Sequence, residues 1–226
     1  MLSDFISLFF PRYCMACGNS LVKGEEVICL KCDYEMPRTE SHEDAQNFVA
    51  IKFYGKVRLT DAVACYKFSK HGKVQKLLHR LKYDGKPSIG EFIGRKYGIE
   101  LRDNGFSECY DLIVPVPLHK IKLRRRKYNQ SAVFADGLSQ SLGLPFSDRH
   151  LVRTIKTSTQ TRKSRFERWR NVESIFEINY PEVLKEKRIL LVDDVITTGS
   201  TIESCANALL SAGCRSVGVA AIAAAK

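Results

Sequence analysis

The sequence predicts an α/β protein, a parallel sheet with flanking helices, preceded by a small four-cysteine metal module. Three observations carry this. The apolar run Ile189-Leu190-Leu191-Val192 leads into Asp193-Asp194, then into Thr197-Thr198-Gly199-Ser200-Thr201, and then into a helical pattern and another strand. A second run, Asp111-Leu112-Ile113-Val114-Pro115-Val116-Pro117, begins as a buried strand and is stopped by its prolines. Near the front, Cys14-x-x-Cys17 and Cys29-x-x-Cys32 stand eleven residues apart.

Residues 1–40 are expected to form an N-terminal apolar helix and the metal module. Two CxxC pairs each close a tight turn around one ion, and four thiolates suit tetrahedral zinc. Gly18 and Lys31 fit knuckle turns and a partly neutralised thiolate cluster. An iron-sulfur cluster is the rival, and a disulfide pair is the poorer alternative in a reducing compartment. Four protein ligands leave no open position, so the zinc is structural rather than catalytic. About thirty residues build little core without such a staple. Leu2, Phe5, Ile6, Leu8, Phe9 and Phe10 make an apolar helix expected to pack on the knot or the main domain; lacking a basic polar face, it fits a membrane surface less well. Cys65, Cys109, Cys205 and Cys214 show no ligand spacing and are read as small core residues.

Residues 41–60 read as a linker or first strand, with the polar stretch 38–49 leading out of the knot, and 61–226 as the main domain. Asp61 to Phe68 alternates as a strand. Val74, Leu77, Leu78 and Leu81 make a helical stripe, with Lys73, Lys76 and Arg80 on another face, and Lys82-Tyr83-Asp84-Gly85 ends that helix. A further helix covers Glu91 to Arg102. After the proline-stopped strand comes a basic run, then a helix from Asn129 to about Leu142 with Val133, Phe134 and Leu138 facing inward. A polar loop follows Arg153 and extends to Asn171. Strand Arg188 to Val192, helix Ile202 to Ala212 with Gly213 as its stop, and strand Val217 to Ile222 complete a βαβ ending. Ile202, Ala206, Leu209 and Leu210 give this last helix its buried face.

The 226 residues suffice for one substantial core and a small accessory unit. The hydrophobic fraction, 44%, is that of a globular protein, and no apolar run is long enough to span a bilayer. Asp4, with no basic residue before it, argues against a secretory signal, so a cytoplasmic protein without stable membrane insertion is expected. The formal charge of +11 is concentrated. Lys120, Lys122, Arg124, Arg125, Arg126 and Lys127 form one run; Arg162, Lys163, Arg165, Arg168 and Arg170 form another, opposed only by Glu167. Such runs are either solvated surface or anion-binding segments.

The acid-hydroxyl segment carries the chemistry. A strand delivers Asp193 and Asp194 to the carboxyl edge of the sheet, where open α/β folds bind ligands. Thr197, Thr198, Ser200 and Thr201 supply hydroxyls, Gly199 lets the backbone approach closely, and the following helix presents free N–H groups at its positive end. Such a turn cradles a phosphate, with a diol or a metal held beside it by the carboxylates. The alternative is an ordinary capped turn with solvated acids; the strand-turn-helix context favours the phosphate site.

This segment resembles the phosphoribosyl pyrophosphate (PRPP) signature of type I phosphoribosyltransferases, and the whole chain resembles the competence protein F (ComF) family, in which a zinc module precedes such a domain. The wider resemblance also rests on Leu81-Lys82-Tyr83, Val114-Pro115-Val116-Pro117, Arg126-Lys127-Tyr128-Asn129-Gln130, Gln160, Arg168-x-x-Asn171-Val172 and Phe176. The family usually has glycine where this chain has Lys127. The resemblance implies a Rossmann-like parallel sheet that binds PRPP with magnesium. Asp193 and Asp194 would hold the ribose hydroxyls, and Thr197, Thr198, Gly199, Ser200 and Thr201 the 5-phosphate. Val116, Pro117, Leu118 and Lys120 would approach the pyrophosphate, with Arg126, or Arg124 and Arg125 beside it, neutralising charge. Magnesium would be held mostly by substrate oxygens and waters near Asp193 or Asp194. The loop Thr157 to Asn171 would be a mobile cover bringing Arg162, Arg165 or Arg168 over the site. Asp193, Asp194, Arg126 and Arg168 are thus the expected catalytic set.

Three functional classes follow. The leading one is a PRPP-binding phosphoribosyltransferase-type protein in competence-linked DNA uptake, whose knot and basic runs contact single-stranded DNA or an uptake helicase. The others are an active nucleobase-salvage phosphoribosyltransferase and a non-catalytic PRPP sensor or DNA-binding adaptor. Tyr128, Phe166 and Trp169 either stack on bases or, more often for such residues, anchor their segments to the core.

Overall fold

Strands that are apolar on both sides need a helical layer on each face. In the computed structural model, which describes residues 11–154 and 175–226, the sheet is built that way. The expected apolar helix at 2–10 and the arginine-rich cover at 157–171 lie outside the described residues. The elements in chain order begin with α1 (Leu30–Tyr34), a 3-10 turn (Ala50–Phe53) and β1 (Ala62–Phe68). Next come α2 (Lys73–Tyr83), α3 (Ser88–Asp103), α4 (Phe106–Cys109), β2 (Leu112–Pro115), α5 (Lys120–Arg126) and α6 (Gln130–Leu142). The chain ends with β3 (Leu151–Arg153), β4 (Phe176–Ile178), α7 (Pro181–Leu184), β5 (Arg188–Ile196), α8 (Ser200–Ser211) and β6 (Ser216–Ala225).

The main sheet has the order β1-β6-β5-β2, and every neighbouring pair is parallel. Strand alternation divides the core into two layers. Leu190, Val192 and Ile113 face α2, α3 and α6, whereas Ile189, Leu191, Leu112 and Val114 face α8 and the 3-10 turn. The connections leaving β2 and β5 therefore diverge, α6 to one face and α8 to the other. That divergence opens a crevice at the carboxyl ends of these two adjacent strands.

The cysteine module is part of the first layer. Cys14, Ala16, Val27, Ile28, Cys32 and Met36 share a core with Val74, Leu77, Ile93 and Tyr97. Ion pairs ring this contact: Lys96 and Arg38 meet Asp33, Arg38 meets Glu100, Lys73 meets Glu35, and Arg95 lies 2.8 Å from Glu26.

Several expectations are corrected. Strand β5 does not stop at Val192 but continues through both acids, because Asp193, Val195 and Ile196 keep ladder partners on β6. Residues 41–60 contain no strand; Asn47 closes turns there through its own side chain, and the sheet begins at Ala62. Val133 is only half-buried, lying over Gly90 rather than in the core, and Ala135 and Gly137 complete the inward face of α6. Leu210 is also partly exposed, and Cys205 takes the buried position on α8. Cys109 is exposed at the end of a four-residue helix, unlike the buried Cys65, Cys205 and Cys214. The basic run forms a helix, α5, with no buried residue. The antiparallel pair β3-β4 lacked a sequence signal, being only three residues per strand. No helix among the described residues is long and apolar enough to cross a membrane.

Candidate functional site

Continuous apolar sequence places Leu190 to Val192 in the interior of the sheet, and the chain then turns polar at its edge. Asp193 accepts a hydrogen bond from the Ser131 hydroxyl at 3.0 Å and from the Asp194 backbone N–H at 2.8 Å. Burial first, and the neighbouring Asp194 carboxylate second, push Asp193 up to about 7 against those donors. Lys82, from the last turn of α2, meets both oxygens of Asp194, at 3.0 and 3.1 Å. The two acids thus differ in surroundings: Asp194 is paired with Lys82, and Asp193 is held by a hydroxyl and a backbone N–H.

Beyond the acids, Thr197, Thr198, Ser200 and Thr201 are exposed while Gly199 is buried. Gly199 caps α8 at φ 84°, and a Cβ there would stand 2.7 Å from the Phe53 ring, so only glycine fits. The Thr198 and Ser200 hydroxyls lie 3.1 Å apart at the start of this twelve-residue helix. Together with Asp193 these residues line a small concavity at the helix N-terminus.

On the β2 side, Val116 is buried, its N–H bonded to Val192 and its carbonyl to Asn129. Pro117, Leu118 and Lys120 line a separate cavity of about 760 Å³ with Lys127, Tyr128 and Asn129. The structure therefore brings Asp193 together with the Thr197 to Thr201 loop, and places Pro117, Leu118 and Lys120 in a different cavity. Arg126 is linked back to the acids through neighbours. It donates to Gln130 at 2.6 Å, next to Ser131, and its guanidinium lies 5.1 Å over the ring of Tyr83, next to Lys82. Its Nε is buried without a partner among the described residues. Arg168 lies outside the described residues. Tyr128 is partly buried and donates to the Leu81 carbonyl, an anchor rather than a free stacking platform.

Lys82 and Ser131 contact the two acids and Tyr83 contacts Arg126, none of which pattern reading assigned. Lys82 stands in the Leu81-Lys82-Tyr83 segment, off the Lys73-Lys76-Arg80 row. That offset was the available signal.

At the other site, the Sγ atoms of Cys14, Cys17, Cys29 and Cys32 all lie within 4.8 Å of one another. Cys17 and Cys29 are 3.8 Å apart, close to the roughly 3.8 Å edge of a tetrahedron of sulfurs about 2.3 Å from zinc. Backbone N–H groups of Ala16 and Cys29 point at Cys14. Burial alone would raise this thiol; the backbone of Cys17 first, then those of Cys29 and Ala16, with the Cys17 thiol, overcome it and draw it down to about 6. Burial and the surrounding thiols push Cys32 up to about 12. Without a cation, one thiolate opposes the next, and a metal among the four sulfurs would relieve that repulsion. The donor set fits zinc.

Residues 129–226 match the family model of the phosphoribosyl transferase domain. DNA utilization protein YhgH of Escherichia coli strain K12 is 33% identical over 147 residues, 63% of this chain and 63% of the relative. Competence protein F of Haemophilus influenzae is 31% identical over 63% of this chain and 64% of its own. Competence protein ComFC of Bacillus subtilis is 23% identical, over 85% of this chain and 82% of its own. The first two matches thus span under two thirds of the relatives' length.

Proposed function

We propose that this chain, whose residues 129–226 match the phosphoribosyl transferase domain model and which is similar to proteins named competence protein F and DNA utilization protein, is a PRPP-binding phosphoribosyltransferase-type protein that serves the handling of DNA in competence. The observation that carries the site is the placement of Asp193 and Asp194 immediately before a glycine-capped helix N-terminus at the crevice of the sheet. Ribose hydroxyls would donate to the two carboxylates. The 5-phosphate would sit on the Thr197 to Thr201 loop, where hydroxyls, backbone N–H groups and the dipole of α8 favour an anion. Val116, Pro117, Leu118 and Lys120, with Arg126, would face the pyrophosphate.

The chemistry of such a site is displacement of pyrophosphate from the anomeric carbon by a nitrogen nucleophile. Magnesium, bound mostly through substrate oxygens beside Asp193 or Asp194, would neutralise the leaving diphosphate. Arg126 adds to that field. Zinc, held by Cys14, Cys17, Cys29 and Cys32, is structural in this reading. Single-stranded DNA is the proposed partner of the basic α5 surface, with an uptake helicase as a second partner, in the cytoplasm.

The test is calorimetric titration of PRPP with magnesium into the native chain and into Asp193→Asn/Asp194→Asn, at two salt concentrations. Binding that the double variant loses upholds the site; a zinc-loaded native chain that binds no PRPP overturns it. For DNA, affinity should fall steeply with salt, as phosphate contacts demand.

A further inference from the structure

Both oxygens of Asp194 are met by the ammonium of Lys82, at 3.0 and 3.1 Å. The pair is sheltered, with side chains only 23% and 15% exposed. Lys82 reaches it from the end of a helix fixed by the buried Leu81. The next residue, Tyr83, carries the guanidinium groups of Arg125 and Arg126 over its ring, at 5.8 and 5.1 Å. Two guanidinium groups therefore gather over the residue next to Lys82, and the buried Nε of Arg126 has no partner among the described residues. The group this arrangement calls for is a second anion.

A ribose diol bound to Asp194 competes with Lys82 for the same oxygens. The displaced ammonium sits on a flexible four-carbon stem and takes the nearest new negative charge. In a ribosyl diphosphate that charge is on the carbon adjoining the 2-hydroxyl. We infer that Lys82 is a transferable cation of the site: it neutralises Asp194 in the free chain and passes to the diphosphate when the ribose hydroxyls take the carboxylate. This rests on reading the site as a PRPP site. Lys82 then distinguishes ligands that bring a diphosphate from those that do not. Ribose 5-phosphate must break the Lys82–Asp194 pair and offers nothing at the anomeric position in return.

The experiment compares PRPP with ribose 5-phosphate, both with magnesium, by titration calorimetry on the native chain, Lys82→Met and Lys82→Arg, with melting curves to confirm folding. Lys82→Met should weaken PRPP by about tenfold or more, the scale of one charged hydrogen bond, while ribose 5-phosphate holds or tightens. Lys82→Arg should keep most of the PRPP affinity. Lys82→Gln, which retains a hydrogen bond to Asp194, carries the same comparison. If both ligands weaken equally, or neither changes, the inference fails while the PRPP site stands. If the native chain binds no PRPP, both fail.

Discussion

Lys127 has a backbone of the kind that favours glycine. It caps α5 at φ 68°, a left-handed conformation that costs a side-chain-bearing residue roughly 1–2 kcal/mol. The chain accepts that strain and gains a cation on the wall of the Leu118–Lys120 cavity. Lys127→Gly should raise stability by about 0.5–1 kcal/mol in urea unfolding, less than the full strain because glycine also loosens the unfolded chain. Asp193 makes a second prediction of definite sign. Its folded value, about 7, lies above the ordinary carboxylate range, so the folded chain keeps a proton that the unfolded chain has released. Its contribution to stability therefore falls as pH rises from about 4 to about 7. Melting curves of Asp193→Asn against the native chain should diverge in favour of the variant across that window. A constant difference would refute the assignment.

At the scale of elements, α3 and α6 cross at unusually close range. Gly90, Gly94 and Gly98 recur every fourth residue on α3, and a Cβ on Gly94 would lie 2.5 Å from the Phe134 carbonyl. Across the contact, a Cβ on Gly137 would lie 2.3 Å from the Glu91 carbonyl. Alanine is the better helix former by about 1 kcal/mol, but backbone cannot yield as a side chain does. Gly137→Ala should cost about 1–3 kcal/mol in denaturant unfolding, the opposite of the helix-propensity expectation. Because α6 also carries Ser131, the same variant should weaken PRPP binding. Gly199→Ala is governed by the Phe53 ring and should disturb the phosphate loop before it disturbs the core.

At the scale of the molecule, the cysteine module is a wall of the main core and not a bead on a linker. Thr39 and Ser41 extend this seam by bonding the Ala64 carbonyl of the edge strand. Loss of a metal from the four-cysteine cluster should therefore be felt far beyond residues 14–32. Chelation should lower the melting temperature of the whole chain in one transition, and Cys32→Ser should cost about 2 kcal/mol or more, with metal content measured in parallel. A separate early transition with an unchanged main melt would show the module to be independent.

What the sequence determined by itself is what near neighbours decide. The Val74-Leu77-Leu78-Leu81 stripe, the two CxxC pairs and the acid-hydroxyl turn all depend on spacing within a few residues, and the structure places them where that spacing requires. The boundaries of β5, the burial of Val133 and Leu210 and the exposure of Cys109 depended on what packs against them, so local pattern misjudged them. The site's own electrostatics were set wholly by tertiary structure. Lys82 meets Asp194 across 112 residues, Ser131 meets Asp193 across 62, and Phe53 fixes the need for Gly199 from the far side of the chain. No periodicity records such meetings, because they follow from the strand order β1-β6-β5-β2, which sends α6 and α8 to opposite faces and leaves the crevice between them.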